Sequence, residues 1–156
     1  MNTYELVKTL HIISSTVLFG TGLGIAFFFW RAQRSADLAA RAFAARTTVL
    51  ADTCFTLPAV VLQPATGLWL MHEAGYDFSE PWLLLSFALY GLAGLCWLPV
   101  VWLQIHMRNI LQVSLTQQTP LPAAYDRYFR WWFALGWPAF GCLIVVFYLM
   151  VVKPSW

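Results

Sequence analysis

Three histidines, one carboxylate and one glutamine set deep in apolar sequence are the residues that could do chemistry in this chain. His11 lies in Leu6-Val7-Lys8-Thr9-Leu10-His11-Ile12-Ile13-Ser14-Ser15, the opening of an apolar run that continues to Trp30. A helix rising about 1.5 Å per residue would place it roughly one to two turns below a membrane surface. An imidazole left unpaired at that depth is costly, so it should face protein, a cavity or a metal. His72 closes the second apolar run, and antiparallel helices would bring it to the same side of the membrane as His11. Two inward neutral imidazoles on facing helices, with small residues admitting the macrocycle, are what a membrane haem b requires. Thr16, Gly20 and Gly24 recur every four positions. They could admit a porphyrin edge or mark a close helix–helix contact. The plainer role for His72 is an interfacial imidazole bonded to Glu73 or water. His106, beside Arg108 just past the third apolar run, reads as a solvated interfacial residue.

The second run carries Asp52, Thr56, Gln63 and Thr66 roughly on one helical face. Asp52 lies about one turn inside the boundary, where Arg46, Arg127 and Arg130 are expected to pair with it and tie the second helix to the fourth. The alternative is a proton-relay group or the polar lining of a substrate path. Gln63, near the midplane, needs a partner inside the bundle. Pro58 and Pro64 free backbone carbonyls and suit a cavity wall. Arg130, ahead of Trp131-Trp132-Phe133, could reach a lipid phosphate, a propionate or Asp52. Met71-His72 and His106-Met107 offer soft ligands for copper. Cys54, Cys96 and Cys142 each fall inside an apolar run in no CxxC arrangement, so they read as small buried hydrophobes.

The elements that position these groups are membrane helices. The chain is 60% hydrophobic, 17% aromatic and only 10% charged, with a mean hydropathy of +0.66. Soluble domains carry about 25% charged residues. An all-α, polytopic fold follows: one domain over residues 1–156, an antiparallel bundle of spans at about 4–30, 47–72, 81–104 and 129–152. Arg31–Arg46 reads as a helical extension into water, and Pro120 and Pro122 break the chain before the last span. All seven arginines fall at one end of this bundle, whereas Lys8 and Lys153 fall at the other. The arginine end is therefore expected in the cytoplasm, with both termini on the outer, periplasmic side of a bacterial inner membrane. Nothing resembles a phosphate loop, a zinc site or a nucleophile triad, and no nucleic-acid partner is expected.

Leu18-Phe19-Gly20-Thr21-Gly22-Leu23-Gly24, Thr66-Gly67-Leu68-Trp69-Leu70 and Trp97-Leu98-Pro99-Val100-Val101-Trp102-Leu103-Gln104 resemble a bacterial family of predicted integral membrane proteins of unknown function. More distantly, the chain is similar to HemJ-type protoporphyrinogen oxidases and the CopD-like four-helix group. Val7-Lys8-Thr9-Leu10-His11-Ile12-Ile13 resembles the opening helix of HemJ-type proteins, and Arg130-Trp131-Trp132-Phe133 with Val151-Val152-Lys153-Pro154 resembles their last. The resemblance implies one haem b with His11 as a ligand and Lys8 and Arg130 near the cofactor. It departs where Trp82-Leu83 is followed by Leu84-Leu85-Ser86 rather than the lysine of that family, and where the Asn-Glu before the last-helix proline is replaced by the region 134–137. His72 is then the natural second ligand.

The sequence therefore sets out an electron-transfer protein or oxidoreductase in the lipid bilayer, handling a quinone or porphyrin-like molecule. Its rivals are a non-enzymatic accessory subunit without cofactor and a CopD-like copper-uptake protein. The exposed small-residue face could equally serve a homodimer.

Overall fold

In the computed structural model, which describes residues 2–154, four long helices account for nearly the whole chain. These are α1 (Thr3–Ala32), α2 (Leu38–Glu73), α3 (Pro81–Gln117) and α4 (Ala123–Val152), each long and apolar enough to cross a membrane. The spans read from hydropathy are all present, but three helices run past their expected ends. α2 begins at Leu38 rather than near 47, α3 continues to Gln117, and α4 starts at Ala123. Hydropathy marks only the lipid-immersed part of a helix; the backbone bonds continue into the polar layer while good helix formers and caps allow it.

Local chemistry explains the boundaries. Asn2 and Glu5 form a reciprocal capping box at the start of α1, each side chain accepting the other's backbone N–H. The Asp37 carboxylate accepts the Ala39 N–H at 2.8 Å and starts α2. Gly75, at φ 71°, turns the chain out of α2, a conformation glycine reaches without steric cost. In that turn the Ser79 backbone N–H and hydroxyl hold the Asp77 carboxyl below its ordinary range.

α2 is interrupted by a π-helical turn at Asp52–Thr56, in which the Leu57 N–H reaches back to the Asp52 carbonyl. Pro58 follows directly. It supplies no N–H, and its ring crowds the carbonyl four residues earlier, so regular α geometry fails just ahead of it.

The bundle is packed at its two ends. At the arginine end Phe29, Leu103, Met107, Leu111, Tyr125 and Trp132 form one core with Ala42 and Ala45. Phe29 meets Trp132 edge-on at 5.0 Å there. At the terminal end Met71, Trp82, Leu83 and Leu149 form a second. α3 packs along α4, while α1 packs along both halves of α2. α1 and α4 make no extended backbone contact; aromatic side chains, Phe19 against Phe140 and Phe147, bridge them.

Candidate functional site

Between the two packed ends lies a cavity of about 610 Å³. All four helices contribute: Leu18, Phe19 and Gly22 from α1, Asp52, Thr56 and Val60 from α2, Tyr90, Ala93, Gly94, Trp97 and Gln104 from α3, and Trp132, Gly136 and Phe140 from α4. Leu23 and Phe27 on α1 and Phe133, Trp137 and Ile144 on α4 line it and are also exposed on the outer surface of the bundle. The cavity therefore opens sideways, between α1 and α4, where lipid chains would lie. Small residues make the room: a side-chain carbon added at Gly94 or Gly136 meets nothing within 4 Å.

The walls are apolar except towards the arginine end. There the π-turn presents Asp52 and Thr56 together, and Thr56, Gln104 and Trp97 flank the Asp52 carboxyl. Asp52 is only 4% exposed. Yet Asp52 Oδ2, Thr56 Oγ1, Gln104 Oε1, Trp97 Nε1 and Trp132 Nε1 are all buried and none closes a hydrogen bond of good geometry, although Thr56, Gln104 and Trp97 stand near the Asp52 carboxyl. A buried polar group left unpaired costs about 1–3 kcal/mol, and more when charged. Buried polar groups in native proteins are nearly always paired, so a group of such atoms on one cavity wall marks a place completed by something else.

The ion pair expected for Asp52 is not formed. Arg46, Arg127 and Arg130 are exposed and Asp52 turns to α3. Long arginine side chains extend to the polar layer, which solvates them better than a carboxylate within the bundle.

His11 and His72 are not brought together. His11 is half-buried between α1 and α2, its Nδ1 2.7 Å from the Thr66 hydroxyl. Thr66 lies 2.6 Å from the Leu62 carbonyl, which takes its single proton. Nδ1–H is therefore the donor to Thr66, and the Nε2 lone pair is left for another partner. Gln63 finds its partners here: its amide donates to the His11 carbonyl at 2.7 Å and to the Ser14 hydroxyl. His72 is exposed, as are Lys8 and Arg130. Neither histidine lines the cavity. A haem held between two imidazoles does not fit these residues.

The copper pairs do not converge either. Met71 is buried while adjacent His72 points outward. Met107 is fully buried, while His106 bonds the Trp102 carbonyl at 2.8 Å and lies against that indole. Among the described residues no group of three or more metal-binding side chains assembles. The Thr16, Gly20, Gly24 row meets no neighbouring helix: added carbons at both glycines stand in open space, because Ser14, Leu18 and Phe29 set the inward face of α1. Of the cysteines, Cys142 is buried and Cys54 exposed. Sequence reasoning singled out Asp52, found Gln104 on the third helix without giving it a role, and missed Trp97 and Trp132, whose indoles read as part of the apolar wall.

With this geometry in place, the family model for predicted integral membrane proteins of the DUF2269 group matches residues 5–154. The chain belongs to that family. No match was found among curated proteins or solved structures. It is an integral, multi-pass membrane protein embedded in a lipid bilayer.

Proposed function

We propose that this DUF2269 protein binds a lipophilic small molecule that enters its cavity from the bilayer, and holds the polar part of that molecule against Asp52. The observation that carries this reading is the set of five buried, unpartnered polar atoms on the wall of a 610 Å³ apolar cavity. Binding sites of this size are mostly apolar with a few convergent polar groups that fix orientation. The sideways opening suits a ligand partitioned into lipid, quinone-like molecules among them. The seven arginines at one end support placing that end in the cytoplasm and the termini outside, which would put the polar wall towards the cytoplasmic side.

The test is organic-solvent extraction of the detergent-purified protein, with mass spectrometry of the extract. One lipophile in fixed ratio to the chain, lost in Gly94→Phe, supports the reading. That substitution fills the cavity with a side chain whose first carbon meets no neighbour. No lipophile, or the same lipophile content in both proteins, contradicts it.

A second reading, haem b carried on His11, is favoured by the free Nε2 lone pair that the Thr66 bond leaves. Its second ligand would have to be a group other than His72. An absorption spectrum with a Soret band, lost in His11→Ala, supports this reading; a featureless spectrum after expression with ample haem removes it.

A further inference from the structure

The walls of the cavity restrict the charge of what it takes. Among the described residues Asp52 is the only carboxylate that lines the cavity, and no lysine, arginine or histidine lines it. A carboxylate held among apolar groups in a membrane needs a proton or a cation beside it. A proton taken up from water serves while the cavity is empty, and a bound cation would take its place.

The rest of the wall mixes aliphatic and small residues with a set of aromatic ones. Trp97 flanks the carboxyl, Trp132, Phe140 and Tyr90 line the cavity with it, and Phe133 and Trp137 line it where it is exposed. Aromatic faces carry negative charge density and attract cations, most strongly where water is excluded. Carboxylate and ring faces thus favour the same sign of charge. A neutral hydroxyl lipid could use the free indole N–H groups and leave Asp52 protonated, but it would draw nothing from the carboxylate or the ring faces as charge partners. An anion would meet Asp52 with no basic side chain to offset it.

Resting on the ligand-binding reading above, we propose that the ligand is a lipophilic monovalent cation, its charge matched by Asp52 and its apolar body held by the aromatic walls. Trp97 stays with the Asp52 carboxyl that it flanks, and the outer aromatics contact the body of the ligand.

The experiment uses two ions of nearly the same shape and opposite charge, tetraphenylphosphonium and tetraphenylborate. Each is equilibrated with the purified wild-type protein in mild detergent and measured by equilibrium dialysis. The expected result is saturable binding of the phosphonium and none of the borate, with Asp52→Asn weakening the phosphonium by about tenfold or more, the scale of one lost charge-assisted contact. Dicyclohexylcarbodiimide provides a measurement on the unsubstituted chain, needed if Asp52→Asn fails to fold: it should modify Asp52, and the phosphonium should slow that modification. Equal binding of both ions, or phosphonium binding that leaves Asp52 unprotected, overturns the cation assignment while the cavity reading stands. Failure of both ions to bind also overturns it, and the solvent extract then decides the cavity reading separately.

Discussion

The imidazole of His11 lies over Gly67, its Cε1 only 3.2 Å from where a side-chain carbon on that glycine would stand. The absence of a side chain on α2 is what lets the ring reach Thr66, one residue earlier. Together with the bonds from Gln63 to Ser14 and to the His11 carbonyl, this contact clamps α1 to α2 within the apolar layer.

Gly67→Val should push the ring off Thr66. The β-branched side chain cannot share the space, and overpacking of this kind costs about 1–3 kcal/mol. Thermal unfolding in detergent should show a lower midpoint than wild type. Gly67→Ala should lie close to wild type, because roughly 1 kcal/mol of gained helix propensity offsets a small shift of the ring. A valine variant as stable as wild type would mean that the ring does not depend on this glycine.

The His11–Thr66 bond should appear as energetic coupling. In a double-mutant cycle of His11→Ala and Thr66→Val, the interaction term should be about 0.5–1.5 kcal/mol, the net worth of one hydrogen bond. Additive effects would show that the two side chains stabilise the protein independently.

How far the sequence reaches is clearest at these same residues. The depth of His11 in its apolar run showed that it needed a partner, and Gln63 likewise. That the partners would be Thr66 and Ser14 depended on the register of α1 against α2, which no local pattern encodes. The four helices were legible because a bilayer demands long apolar runs; the helical extension read in Arg31–Arg46 is present from Leu38 as the start of α2, whereas the polar continuations of α3 and α4 were not legible, since such sequence forms helix or loop equally well. The arginine partners assigned to Asp52 failed because the chain carries those side chains outward. The cavity had no linear signature either. It arises where α1 and α4 stand apart, and its polar wall joins residues from α2, α3 and α4. Pro58 was the one local hint of the π-turn that presents Asp52.

Removing the unpartnered polar atoms should raise stability while lowering ligand retention. Thr56 Oγ1 and Gln104 Oε1 have no hydrogen-bond partner in the protein. Thr56→Val and Gln104→Leu delete the desolvation cost of these oxygens and, with it, the polar flank they give Asp52, so each should gain up to about 1 kcal/mol in protein stripped of lipophile if the desolvation cost is the larger of the two. Both should hold less of the co-purifying lipophile than wild type. Destabilised variants in thermal unfolding would show that these atoms have partners within the protein.

The central claim is that the interior of the bundle is open to lipid-soluble molecules, and hydrophobic photolabelling tests it most directly. Protein in lipid vesicles is irradiated with a small apolar aryl diazirine, and the labelled residues are mapped by peptide mass spectrometry. The account predicts label on Ala93, Leu18 and Asp52, which are 6%, 8% and 4% exposed but line the cavity. It predicts loss of that label in Gly94→Phe, with lipid-facing Leu95 still labelled. Label confined to exposed positions such as Leu95 and Val151, with the interior residues untouched, would contradict it.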